Sequence, residues 1–242
     1  QGFAFSCQKM KLQGDVYMPA TTPQQKVSQV RMFGGDYVKV VLIGDTYDAC
    51  QKYALKVAKK EGKTFIHPFD DKEVIEGQAT IALEILEHAK APLDYIFVPI
   101  GGGGLISGIS IALKGLNHSA KIIGCEPTSV DDTHQMYTAN KRIEMTHRES
   151  VADGLMAIVG HLTLPIIQEN VDDIVLATEE QIIDATRLVW ERMKIVVEPS
   201  CALTLASIMA NKEKFTGQKV VLIITGGNVD LVSLPWQKVG KE

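Results

Sequence analysis

The sequence is poor in the features that mark several functional classes. Its four cysteines, Cys7, Cys50, Cys125 and Cys201, lie far apart, with no C-x-x-C pair and no histidines at metal-binding spacing. They read as reduced thiols of a cytoplasmic protein, not as a disulfide or zinc framework. No apolar run reaches the about 18 residues of a membrane helix. The amino-terminal stretch shows neither the basic nor the apolar region of a signal peptide. Aromatics make up 6%, no Lys/Arg block alternates with them, and 25 basic against 29 acidic residues leave a net charge of −4, so there is no basic field for nucleic acid. The six histidines, His67, His88, His118, His134, His147 and His161, follow neither a metal nor a triad pattern and read as surface or loop residues. With 45% hydrophobic residues, the 242-residue chain has ample material for a buried core.

What is present in excess is glycine at one place. Gly101–Gly104 sit between an apolar strand-like run, Tyr95–Ile100, and a segment of helical character, Leu105–Leu113. Each glycine costs about 0.5–1 kcal/mol relative to alanine in regular structure. Four in a row can turn several backbone N–H groups toward one point at the positive end of a helix, so the loop reads as a phosphate cradle. The Walker A pattern fails, because no Lys-Ser or Lys-Thr follows. The dinucleotide pattern also fails, since the frame from Gly102 puts Ser107 where the third glycine belongs. A phosphate held by amides without a side-chain cation suits a small phosphorylated cofactor better than a nucleoside triphosphate. The alternative is a tight strand-to-helix turn that binds nothing.

Strand-like and helical segments alternate along the chain. Val16–Met18, Val38–Ile43, Phe65–Ile66, Tyr95–Ile100, Lys121–Cys125, Asp173–Leu176 and Val220–Thr225 read as short, mostly buried strands. Thr22-Pro-Gln-Gln25 has the form of a capping box with proline at the first helical position, closed by Gly34-Gly35. Thr178-Glu-Glu-Gln181 opens another helix of the same kind. Between Asp45 and Lys60, Ala49, Cys50, Tyr53, Ala54, Val57 and Ala58 mark one helical face. Such βα alternation predicts an α/β fold with a parallel sheet. Phe65–Gly77, with Pro68 and the charged run Asp70–Glu73, reads as the crossing between two lobes.

Several motifs then fall in one order: Val98-Pro-Ile-Gly-Gly-Gly-Gly-Leu-Ile-Ser-Gly108, Ile75-Glu-Gly-Gln-Ala-Thr-Ile-Ala-Leu-Glu84, Val151-Ala-Asp-Gly154 and Thr225-Gly-Gly-Asn-Val-Asp230. Over essentially its whole length the chain resembles the pyridoxal-phosphate enzymes of the threonine dehydratase and serine racemase group. The resemblance implies a two-lobed, parallel-sheet fold of the tryptophan-synthase-β type, with residues 1–69 as the remainder of a small lobe and 70–242 as a large lobe. It also implies that the family's Schiff-base lysine precedes Gln1, so no catalytic residue is expected within this chain and the activity expected is that of the full-length protein. That activity would be β-elimination of water from L-threonine or L-serine to give a 2-oxo acid and ammonia. Serine racemisation, hydroxyaspartate dehydration, β-replacement and a non-catalytic ligand-binding module stand as alternatives.

The same resemblance implies roles residue by residue. Gly101, Gly102, Gly103, Gly104 and Leu105 would hold the cofactor phosphate. Thr225, at the end of a buried strand where α/β sheets present ligand groups, would meet the pyridine nitrogen with its hydroxyl. A hydroxyl there holds that nitrogen protonated only weakly, which favours elimination over transamination. Gly154 would let the backbone approach the cofactor, and Glu198 would line the pocket near the ring. On the residues alone, Thr225 is a strand-end residue before a turn, Gly154 an ordinary turn glycine and Glu198 a structural carboxylate. Glu126, the Val130 carbonyl and Asp132 form an oxygen-rich set suited to Mg²⁺ or Ca²⁺, and the serine-racemase-like Glu-Pro-x-x-x-Asp-Asp spacing implies such a site. The competing reading is a strand-end carboxylate followed by the N-cap of a helix near Thr133–Tyr137. Lys194 and Asn228 match positions that contact a nucleotide effector in some relatives; otherwise they are a solvated lysine and a turn asparagine. A small hydroxy amino acid as substrate and a homodimer or homotetramer complete the expectations.

Overall fold

The computed structural model describes residues 1–143, 149–232 and 234–237, and His147 lies outside them. The chain forms two units, Gln1–Ile66 and His67–Glu242. In the first unit, α1 (Gly2–Met10), β1 (Gly14–Met18), α2 (Gln24–Gly34), β2 (Val38–Leu42) and α3 (Tyr47–Glu61) follow one another. β1 and β2 pair in parallel from Gly14↔Val38 to Met18↔Leu42. A parallel pair needs a crossover, and α2 supplies it.

The capping box expected at Thr22 does not form. Pro23 itself is the N-cap, extended at φ −51° and ψ 135°, and no side chain caps α2. That places Thr22 one residue outside the capping position. The predicted stop does occur, with Gly35 at φ 50°. In α3 the Thr46 hydroxyl accepts from the Ala49 amide at 3.3 Å, and Gly62 closes the helix in the left-handed region. The buried stripe of α3 is narrower than expected: Cys50 and Ala54 are buried, whereas Ala49 and Tyr53 are exposed. No strand forms at Phe65–Ile66; Ile66 is half exposed and joins no ladder.

The second unit runs α4 (Lys72–His88), β3 (Tyr95–Pro99), α5 (Gly104–Gly115), β4 (Lys121–Pro127), α6 (Asp132–Ala139), α7 (Thr163–Asn170), β5 (Asp173–Ala177), α8 (Glu179–Met193), α9 (Pro199–Ala210), α10 (Lys212–Phe215) and β6 (Val220–Leu222). Among the described residues its strands form one parallel sheet of four, in the order β5-β4-β3-β6. Alternate strand residues supply two cores. Ile96, Val98, Ile100, Ile122 and Ile174 meet Ala82, Ile106, Ile109, Leu113, Met136 and Ile167 from α4 to α7. Phe97, Ile123, Cys125, Val175 and Ala177 meet Ile182, Ala185, Val189, Ala202, Leu203 and Phe215 from α8 to α10. The sheet is therefore covered on both faces, which is why its strands read as continuous apolar runs.

β6 is shorter than the six residues expected. Ile223 still donates to the Phe97 carbonyl at 3.0 Å, but the next ladder hydrogen bond, to the Ile223 carbonyl, would need an N–H from Pro99, which has none. The capping box at α8 is present as expected: the Gln181 amide donates to the Thr178 hydroxyl and the Thr178 amide to Gln181 Oε1. All four cysteines are buried free thiols. Among the described residues no helix is long and apolar enough to cross a membrane.

Candidate cofactor site

The tetraglycine segment leaves the carboxyl end of β3, a central strand, and leads directly into α5. Gly103 sits at φ 88°, and no side chain caps α5. The first amides of a helix have no intrahelical acceptor, so this end presents N–H groups and the positive end of the helix dipole to an outside anion. Leu105 is the second residue of that helix. The loop is packed so closely that Cβ atoms have no room. One on Gly102 would clash with the Phe69 ring, and one on Gly101 would lie 3.0 Å from the Gly154 carbonyl oxygen and 3.1 Å from Leu155 Cα. The glycine loop and the Ala-Asp-Gly segment, more than 50 positions apart in sequence, are thus neighbours.

The start of α9 gathers the other candidates. The Gly154 amide donates to Ser200 Oγ at 3.1 Å. Glu198, the N-cap of α9, receives the Asn228 amide on Oε2 at 3.0 Å, and its own amide donates to the Gly226 carbonyl at 3.1 Å. Cys201 donates its thiol to Glu198 Oε1 at 3.8 Å and lies 3.9 Å from Thr225 Oγ1. Burial pushes the Cys201 thiol up, with the Glu198 charge adding to it, so the group stays a neutral thiol. Thr225 itself is exposed and Gly154 is exposed, while Glu198 is half-buried. One helix end therefore brings together Gly154, Glu198 and Thr225, and Gly154 adjoins the loop.

The sequence patterns assign no site role to Ser200, Cys201, Phe69 or Thr163. Thr163 donates its hydroxyl to the Gly102 carbonyl at 2.8 Å. Nothing local marks these four, since each acts on a partner distant in sequence except for the Cys201–Glu198 contact.

Glu126 lies in β4 and Asp132 begins α6; they are 2% and 1% exposed, and Val130 between them is 1% exposed. Asp132 is not the N-cap: Asp131 holds that position, and no side chain of that residue caps the helix. Glu126 does the work from the strand, accepting the Thr133 amide on Oε1 at 3.2 Å and the His134 amide on Oε2 at 2.7 Å. Burial, reinforced by the Asp132 charge, pushes Glu126 up to about 8 against those hydrogen bonds. Among the described residues no three His, Cys, Asp or Glu side chains gather as a metal set. Lys194 is the left-handed C-cap of α8, at φ 59°. His67 accepts the Asp70 amide on Nδ1 at 2.8 Å.

The residues present fit a pyridoxal phosphate group. An uncapped helix start behind a loop too tight for side chains suits a phosphate, and the exposed hydroxyl of Thr225, which lies three residues past β6 and not at the strand end expected, suits a ring nitrogen. Comparison with known proteins points the same way. The family profile described as "Pyridoxal-phosphate dependent enzyme" matches residues 1–226. The biosynthetic L-threonine dehydratase of Halalkalibacterium halodurans is 38% identical over 232 residues, which are 96% of this chain and 56% of that protein. The chain thus spans little more than half the length of such curated relatives. Among solved structures, maize serine racemase is similar with a TM-score of 0.88 and 34% identity, covering 95% of this chain and 70% of that one. The processed form of threonine deaminase isoform 2 from Solanum lycopersicum is similar with a TM-score of 0.88 and 35% identity, covering 96% of this chain and 67% of that one. With motifs, parallel sheet, loop geometry and relatives in agreement, the chain belongs to the family of pyridoxal-phosphate dependent enzymes, in its threonine dehydratase and serine racemase group.

Proposed function

We propose that the full-length protein is a pyridoxal-phosphate-dependent ammonia-lyase that converts L-threonine, and L-serine, to a 2-oxo acid and ammonia. The observation that carries this reading is the gathering of Gly154, Glu198 and Thr225 at the start of α9, with Gly154 against the Gly101–Gly104 loop. The similarity to a biosynthetic threonine dehydratase supports the substrate class. Bound there, pyridoxal phosphate supplies an electron sink for the carbon next to the substrate amine. The chain's own residues bind and orient. Amides of Gly101–Leu105 hold the phosphate, the Thr225 hydroxyl engages the ring nitrogen without fixing a proton on it, and Glu198, kept in place by the Asn228 amide, lines the ring. Residues 1–69 serve as part of a small lobe and 70–242 as the large lobe.

The test is an assay of the full-length protein with pyridoxal phosphate on L-threonine, L-serine, D-serine and L-threo-3-hydroxyaspartate. Ammonia and 2-oxobutyrate released from L-threonine without an added nucleophile is the expected result. Interconversion of serine enantiomers alone would replace the lyase reading by a racemase. Absence of both cofactor absorbance and ammonia would leave a binding module.

Glu126, the Val130 carbonyl and Asp132 are proposed to hold Mg²⁺ or Ca²⁺ with waters, since hard oxygen donors suit these ions. Unchanged activity and melting temperature in EDTA would refute that site. A cytoplasmic homo-oligomer with a nucleotide effector near Lys194 and Asn228 completes the reading; sedimentation and nucleotide titration test it.

A further inference from the structure

The glycine loop is held from behind by a chain of hydrogen bonds that none of the cofactor roles above uses. Asp70, just before α4, places both carboxylate oxygens on the backbone that begins α7. Oδ1 accepts the amides of Leu162 at 2.8 Å and Thr163 at 3.2 Å, and Oδ2 accepts that of His161 at 2.9 Å. The approach leaves no space for a side chain at position 160, where a Cβ would collide with the carboxylate. Thr163, fully buried, accepts the Gly160 amide on its hydroxyl at 2.7 Å and donates that hydroxyl to the Gly102 carbonyl at 2.8 Å. Arg142 holds the same turn from its other side through the carbonyls of Val159 and Gly160.

The consequence for the loop follows from peptide geometry. There are no cis peptides among the described residues, and in a trans peptide the carbonyl and the next N–H point in opposite directions. Drawing the Gly102 carbonyl toward Thr163 therefore turns the Gly103 N–H the opposite way, while the Phe69 ring packs against Gly102 where a Cβ would lie. A hydroxyl that accepts one hydrogen bond and donates its only proton in another, with its backbone pinned by a carboxylate, makes a rigid strut.

We infer that Asp70 and Thr163 are positioning residues for the phosphate-binding loop: Asp70 sets the start of α7, and Thr163 transmits that setting to the Gly102–Gly103 peptide. The inference rests on the reading of the loop as a phosphate grip and assigns it a control point that touches no ligand. It applies to phosphate recognition specifically, so its signature is the preference for pyridoxal phosphate over pyridoxal, which lacks the phosphate.

The experiment measures both affinities on the full-length protein, by the absorbance and fluorescence of the bound ligand, for the wild type, Thr163→Val, Thr163→Ser and Asp70→Asn. Thr163→Val should reduce the preference about tenfold, the change expected from losing one oriented hydrogen bond. Thr163→Ser, which keeps the hydroxyl, should restore it, and Asp70→Asn should fall between. A Thr163→Val protein with wild-type preference overturns the inference, as does a Thr163→Ser protein that loses it equally. If Thr163→Val does not fold, Asp70→Asn decides by the same ratio, with an unchanged preference overturning the inference. A wild-type protein with no preference for the phosphorylated ligand overturns the phosphate reading of the loop and the strut with it.

Discussion

At the scale of single residues, Glu126 shows how burial and hydrogen bonding compete for one proton. Two backbone amides favour its charged form, but loss of solvent and the neighbouring Asp132 charge outweigh them and push it up to about 8. A carboxyl raised in the folded state contributes stability that is fully present below its ordinary value of 4.5 and is lost as pH rises through about 8. In EDTA, urea denaturation should therefore find the wild type losing stability between these limits, and Glu126→Gln should flatten that dependence. Equal slopes for the two proteins would contradict the assignment. Reading this residue from sequence reached only as far as its chemistry. The Glu-Pro spacing marked Glu126 and Asp132 as an acidic pair, but that Glu126 caps α6 from seven and eight residues upstream depends on the turn between them. Ser200 and Thr163 were invisible for the same reason: a hydroxyl's value lies in a partner 46 or 61 positions away.

At the scale of elements, local chemistry was legible where it is self-contained. The Thr178–Gln181 box closes on itself and appears as expected, and Thr178→Ala should cost about 1 kcal/mol in a denaturation experiment. The box expected at Thr22 failed because the proline took the cap position, a choice between two adjacent residues that the pattern does not decide. β6 stops early because the next ladder donor on β3 would be Pro99, information that exists only once strands are paired. In the strands, alternation assigns Phe97 to the core under α9 and α10, where its ring meets Phe215 at 4.9 Å between centroids. Phe97→Ala should destabilise the protein by about 3–5 kcal/mol. A loss no greater than that of an exposed site would show that this face is not the core.

At the scale of the whole molecule, the alternation of strands and helices predicted a parallel α/β sheet, and the order β5-β4-β3-β6 puts the glycine loop at the end of a central strand. The order itself was not readable, since nothing in the chain states which strands are neighbours. Ligands gather at the carboxyl ends of such strands, and here the loop, Gly154 and the start of α9 meet in that region. The central claim is that this loop grips a phosphate through amides and a helix end. Phosphorus-31 NMR of pyridoxal phosphate bound to the full-length protein tests it directly. The account predicts a bound resonance whose position stays constant across the pH range in which the free phosphate takes up its second proton, and its loss in Gly103→Ala, which forces a side chain to φ 88°. A bound resonance that titrates like that of the free cofactor would contradict it.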